Sequence, residues 1–285
     1  MSGVLVVGID GSENGAAALE WSVTEASHRG DVLKLVYCLH IPMPTASFAG
    51  AVAAPQIDTM RDYADGVLAA VAETARGMEP ELEVQTQLMM GPPAAGLLEA
   101  SKDASLLVVG ARGLGAFGSM FMGSVSMRVA AHAECPTVVV PSDGHGHDHS
   151  GPIVVGLDDS PHAIAALRFA VGMASLHGTE VIAIHGRGDT TDLDLPGGVE
   201  ESEQAQAESQ VADVIKRANL DQEVTTRVVA ADPCDALLDA GENASIIVVG
   251  SRGRGGFRGM LLGSVSQSVL HGAKGPVIVV RAEQD

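Results

Sequence analysis

Residues 110–127 read GARGLGAFGSMFMGSVSM, and residues 250–267 read GSRGRGGFRGMLLGSVSQ. Ten of the eighteen positions are identical, and the two stretches lie 140 residues apart. Each follows an apolar run, LLVVG at 106–110 and IIVVG at 246–250. Working outward, VLVVGIDGS at 4–12 matches IVVGLDDS at 153–160. The segment Trp21–Ser27 matches Phe169–Ser175, and CPTVVV at 135–140 matches GPVIVV at 275–280. The matches keep the same order in both halves, so the chain is a tandem duplication. A period near 140 residues means two domains rather than a solenoid.

Short β-branched runs at 4–9, 32–38, 82–89, 105–110 and 137–140 read as buried parallel strands. Helical patterns lie between them. Residues 13–28 place Ala17, Ala18, Trp21, Val23 and Ala26 close to helical spacing. Ser160-Pro161 gives the matching second-half helix an N-cap and a first-turn proline. Residues 56–77 and 199–218 read as longer, more polar helices. Strand, helix, strand in series predicts a doubly wound α/β domain in each half. PSDGHGHDHSG at 141–151 reads as a polar linker. The expected organisation is domain 1 over 1–141, a Gly/His linker over 142–151 and domain 2 over 152–285.

Composition limits the function classes. The 285 residues are 46% hydrophobic but only 3% aromatic, so the cores must be built from aliphatic side chains. The net charge of −19 is even, with 7 basic and 16 acidic groups through residue 143, and 10 and 20 after it. Such a surface repels nucleic acid and anionic membranes, although solubility alone accounts for it. Cys38, Cys135 and Cys234 fit no metal spacing and no disulfide framework. They read as small buried residues in a reducing compartment. No apolar run approaches the roughly 18 residues of a membrane helix, and the first run is too short for a signal peptide. The expectation is a cytoplasmic protein.

In doubly wound sheets ligands bind beyond the carboxyl ends of the strands, where strand order reverses. The two glycine-rich stretches belong there. Gly110, Gly113 and Gly115 permit tight turns and close approach of backbone to ligand. Gly123-Ser124-Val125-Ser126 opens a helix, whose free amides, dipole and hydroxyls suit a phosphate chain. Gly250, Gly253, Gly255 and Gly263-Ser264-Val265-Ser266 repeat the arrangement. The spacing G-x2-G-x9-G-S, present at Gly110, Gly113, Gly123 and Ser124 and again at Gly250, Gly253, Gly263 and Ser264, resembles the ATP-binding signature of the universal stress protein family in its tandem form. The V-G-x-D opening strand and the C-P-x-V-V-V ending match as well. The resemblance covers nearly the whole chain apart from the linker and the loops at 40–55 and 186–198.

That resemblance implies a five-stranded parallel sheet per domain, order 3-2-1-4-5, with ATP, ADP or AMP at the switch point and magnesium as an option. It implies that Asp10 and Asp158 bond the ribose hydroxyls, and that the glycine loops with Ser124 and Ser264 hold phosphates. It also implies that Gly8 and Gly156 let the nucleotide approach the first strand, and that backbone around Tyr37–Leu39 and His185 borders adenine. It implies a stress-response regulatory protein with an unnamed protein partner, and pairing of domains or a homodimer through the last strands.

Plainer readings stand beside these. Asp10 and Asp158 are also turn formers. Arg112, Arg252, Arg254 and Arg258 are either surface charges or phosphate contacts. Met120, Met122 and Met260 read as apolar packing. His145, His147 and His149 with Asp148 read as polar spacer, since alternating H-x-H lacks the cage of a structural zinc site. Gly113-x-Gly115-x-x-Gly118 mimics the dinucleotide fingerprint but follows a fourth strand, and its second copy carries Arg258 in place of the last glycine. No Walker A is present, because Gly91-x4-Gly96 is followed by Leu97. No nucleophile–base pair accompanies the loops, so any catalysis is expected to be at most slow ATP hydrolysis. The alternatives are a nucleotide-free interaction module and an adenine-nucleotide-dependent enzyme of related fold.

Overall fold

Strand β1 (Val4–Ile9) runs into Asp10, and helix α1 (Glu13–Arg29) follows at once. Ser12 sets that start by accepting the Gly15 amide, and Glu13 places a negative charge where the helix dipole favours it. Gly30, at φ 65°, ends the helix in the left-handed conformation that glycine adopts without strain. Helix α5 (Pro161–His177) is built alike, with Ser160 accepting from Ala163 and Gly178 at φ 66°. The structure is a computed structural model and describes residues 3–41, 54–113, 122–141, 151–188, 198–254 and 261–282.

Two compact units divide the chain, residues 1–135 and 136–285. In the first, β1 and α1 are followed by β2 (Val32–Leu39), α2 (Ala54–Met78), β3 (Val84–Met90), α3 (Pro93–Ala100), β4 (Leu106–Gly110) and α4 (Ser124–His132). The strands are parallel in the order β3-β2-β1-β4. In the second unit come β5 (Thr137–Val140), β6 (Ile153–Gly156), α5, β7 (Val181–Gly186), α6 (Gly198–Ala218), β8 (Thr225–Val229), α7 (Pro233–Gly241), β9 (Ile246–Gly250), α8 (Ser264–Gly272) and β10 (Val277–Val280). Here the parallel order is β8-β7-β6-β9-β10, the doubly wound order 3-2-1-4-5 in this repeat's own count. Strand β5, fifth in the first repeat by sequence, pairs antiparallel with β10, Val139 opposite Val277.

The core follows the apolar runs. Leu5, Val6, Leu33, Leu35, Leu106 and Leu107 are wholly buried in the first unit, as are Ile153, Val154, Leu167 and Ile278 in the second. Strands β4 and β9 are buried on both faces up to their last glycine, as strands covered by helices on both sides must be. The edge strand β8 is TTRVV and its first three residues are exposed. Helices α3 and α7 have no counterpart in the sequence expectation. They are eight and nine residues long, begin with proline, and α3 contains Gly96, so neither offers a long periodic stripe. Both bear on the site.

Candidate functional site

The carboxyl end of β6 leads into Asp158, whose two oxygens are both engaged. Oδ1 accepts the Ser160 amide at 3.0 Å, and Oδ2 accepts the Arg254 amide at 2.9 Å. Ser160 Oγ accepts the Ala163 amide at 3.1 Å and donates to the Arg252 carbonyl at 3.2 Å. One carboxylate and one hydroxyl therefore fasten the glycine loop after β9 to the first turn of α5. The loop must pass close: a Cβ on Gly253 would lie 2.6 Å from Asp158 Oδ2. The first repeat brings the same groups together with different bonds. Asp10 Oδ1 accepts both the amide and the hydroxyl of Ser12, at 2.9 and 2.6 Å, and a Cβ on Gly113 would lie 2.5 Å from Asp10 Oδ2.

Helices α4 and α8 start over the ends of β4 and β9. Ser126 Oγ donates to the Gly110 carbonyl at 2.6 Å, and Ser266 Oγ donates to Gly250 at 2.7 Å. Each hydroxyl has one proton and gives it to this brace, which holds the helix start to the strand end. Ser124 and Ser264 are exposed. The N-cap residues Gly123 and Gly263 make no side-chain cap, unlike Ser12, Ser160 and Asp232 at α1, α5 and α7. The first-turn amides of α4 and α8 therefore have no partner within the helix and no side-chain cap among the described residues. That row of donors at the positive end of a helix dipole suits an anion.

In the second unit these parts enclose a cleft of about 380 Å³, within the range of small-molecule sites. All the described sequence candidates of this repeat line it: Gly156, Asp158, His185, Gly250, Arg252, Gly253, Arg254, Gly263, Ser264, Val265 and Ser266. Gly255 and Arg258 lie outside the described residues, as do Gly115, Met120, Met260 and the linker histidines. In the first repeat, Gly8, Asp10, Gly110, Arg112, Gly113 and Gly123 through Ser126 gather at the ends of β1 and β4 and the start of α4. Leu39 ends β2, and its carbonyl accepts the Gly91 amide at 3.0 Å.

Packing adds roles that the sequence did not reveal. A Cβ on Gly8 would meet Leu97 at 3.0 Å, and one on Gly156 would meet Leu237 at 3.0 Å. These glycines make room for leucines of α3 and α7, the two helices that the sequence pattern concealed. Two contributors were missed altogether. A Cβ on Gly110 would lie 2.6 Å from the Asn14 carbonyl oxygen, and one on Gly250 would lie 2.8 Å from the His162 carbonyl carbon. His162 Nδ1 accepts the Ala282 amide at 2.9 Å and lies 3.3 Å from Ser251 Oγ. Burial, then the charges of Arg252 and Arg281, hold its pKa below the usual histidine value. Nothing in the sequence marks it except its alignment with Asn14.

The charges around the loop are unequal in partners. Arg254 lies 3.5 Å from Asp159. Arg252 Nε is buried and has no hydrogen-bond partner among the described residues. Burial, followed by the neighbouring Tyr63 and Asp10, raises the Tyr37 phenol above its usual value. Burial pushes the Cys38 and Cys135 thiols up to about 11, which suits packing and not nucleophilic chemistry.

The sequence model of the Universal stress protein family matches residues 1–141 and again residues 150–281. The chain belongs to the universal stress protein family. A universal stress protein of Mycobacterium tuberculosis strain H37Rv is 35% identical over 288 residues, covering 97% of this chain and 96% of its own. Another from Mycolicibacterium smegmatis is 34% identical over 284 residues, with the same coverage of 97% and 96%. A universal stress protein from Archaeoglobus fulgidus shares the fold at a TM-score of 0.72, with 24% identity over 100% of this chain and 98% of that one. No helix among the described residues of this universal stress protein is long and apolar enough to cross a membrane.

Proposed function

We propose that this universal stress protein binds one adenine nucleotide in each repeat and regulates a partner through nucleotide-dependent order in its glycine loops. The observation that carries the reading is the uncapped first turn of α8, set in one cleft with Asp158, Arg252 and His185. Polyphosphate supplies acceptors for the α8 amides and for Arg252 Nε, which has no hydrogen-bond partner among the described residues. Asp158 keeps carboxylate lone pairs for the ribose hydroxyls beside the two amides it already serves. Holding the glycine loop against α5 through that same carboxylate couples the ligand to loop position. Occupancy shifts the loop population and so the surface it presents.

Nucleotide content decides the matter. The purified chain is precipitated with acid and the supernatant is chromatographed. Two adenine nucleotides per chain are expected, or uptake of two on addition of ATP. At a hundredfold excess over Kd, one site adds about 2.7 kcal/mol of stability, a rise in Tm of roughly 5–10 °C. No nucleotide in the supernatant and a flat Tm across millimolar ATP would refute the proposal in favour of a nucleotide-free interaction module.

A further inference from the structure

Ser251, at the root of the second glycine loop, joins three parts of the second unit. Its amide donates to the Val280 carbonyl at 2.7 Å, at the end of β10. Its carbonyl accepts the amide of Gly263, the N-cap of α8, at 2.8 Å. Ser251 is wholly buried, and its Oγ lies 3.3 Å from His162 Nδ1. The same Nδ1 accepts the Ala282 amide at 2.9 Å, so the exit of β10 and the root of the loop meet on one ring nitrogen. A backbone amide only donates, so Nδ1 holds a lone pair and the neutral ring carries its hydrogen on Nε2. A proton on Nδ1 sets N–H against N–H. The surroundings oppose that proton as well. His162 is the second residue of α5, at the positive end of the helix dipole. Arg252 of the loop and Arg281 after β10 act on the half-buried ring as cations, and Asp158 as an anion. Arg254 and Asp159 border the same hollow. Strands β6, β9 and β10, packed against α5, bring no charged side chain.

We propose that His162 is a positioning residue for the second nucleotide site and makes that site alone acid-sensitive: the neutral ring holds the root of the glycine loop, and the imidazolium releases it. His162 is not part of the cleft lining and acts through Ser251. An imidazolium rejects the Ala282 amide, and ring and amide must part. Ser251 shifts with them, and Gly263 follows through its bond to the Ser251 carbonyl. Arg252 and the open turn of α8 then leave the geometry that suits an anion, so acid weakens binding. The first repeat lacks the device. Asn14 aligns with His162, and Ala111 with Ser251. An amide side chain offers an oxygen acceptor at any ordinary pH and takes up no proton.

The inference rests on the nucleotide reading, and the test separates the two. The full chain is titrated calorimetrically with ATP at about pH 7.5 and about pH 5.5, on either side of the ordinary histidine value. In the wild type one of the two sites should weaken on acidification by about threefold or more beyond the other. In His162→Asn, whose Oδ1 replaces Nδ1 as acceptor without titrating, the two sites should change together. Protonation of ATP itself acts alike on wild type and variant, so the comparison removes it. A second measurement serves if the variant does not fold by circular dichroism. The His162 ring is titrated by NMR in the wild type, free and saturated with ATP. Linkage requires that a proton which weakens ATP be weakened by ATP, so the midpoint should fall. Sites that respond equally to pH in the wild type, a folded His162→Asn chain that keeps the wild-type difference, or a midpoint that ATP leaves unchanged or raises would overturn the role of His162 and leave the nucleotide proposal standing. If ATP binds at neither pH, both fall.

Discussion

The glycines of the G-x2-G-x9-G signature are equivalent as sequence, but the structure predicts that they respond differently to one methyl group. In Gly253→Ala the new Cβ would sit 2.6 Å from Asp158 Oδ2. Ordinary contact begins near 3.4 Å, so either the loop retreats by most of an ångström or the Asp158 carboxylate rotates away. Retreat stretches the Arg254 amide bond of 2.9 Å; rotation endangers the Ser160 amide bond of 3.0 Å. A hydrogen bond to a charged, half-buried group contributes roughly 1.5–3 kcal/mol, so the expected loss is about 2–3 kcal/mol. For a chain of this size that is a fall in Tm of roughly 4–12 °C. In Gly263→Ala the nearest atoms to the new Cβ, Arg252 Cα and Gly253 N, lie at 3.5 Å. Gly263 has φ −74° and ψ 159°, which alanine adopts freely. Alanine is a poorer N-cap than glycine but loses less chain entropy, and the two effects roughly cancel to within ~0.5 kcal/mol. The assay is thermal unfolding of the ligand-free chain, followed by ATP titration of Gly253→Ala, in which one site should weaken. A Gly253→Ala chain that melts with the wild type, or a Gly263→Ala chain that melts lower than Gly253→Ala, would refute the close approach of loop and carboxylate.

Other consequences follow from the same contacts. Ser266→Ala removes a buried bond to Gly250 and should cost roughly 1–2 kcal/mol in urea unfolding, whereas Ser264→Ala, at an exposed position, should cost within ~0.5 kcal/mol. Arg252→Ala should weaken one of the two ATP sites by about tenfold or more in calorimetry, with the other unchanged. His162 accepts the Ala282 amide, and its pKa in the folded chain is lowered, first by burial and then by Arg252 and Arg281. The unfolded chain thus binds the proton more readily, so stability should fall as pH drops below the ordinary histidine value of 6.5. Melts between pH 7.5 and 5 should show a shallower acid loss in His162→Asn, which carries the first-repeat residue; an unchanged slope would remove His162 as a source.

Much of this protein is decided by order along the chain. The duplication, the strands at 4–9 and 137–140, the serine caps of α1 and α5 and the glycine loops all depend on neighbours within a few residues, and local pattern reveals such features. Strands buried on both faces declare themselves as unbroken apolar runs. What side chains do when distant segments meet is a different matter. Asp158 and Arg254 are 96 residues apart, and the bond between them is set by which strands end side by side. Gly8 and Gly156 have the composition of a ligand-facing turn, yet their missing side chains admit Leu97 and Leu237. Ser126 and Ser124 look interchangeable in GSVS, and only the turn of helix over the end of β4 commits one to Gly110 and leaves the other at the surface. His162 joins the root of the glycine loop to the residue after Arg281 for the same reason. Periodicity reports how one segment faces a core, whereas close approach between segments is a property of the packed sheet, and the packed sheet alone decided it.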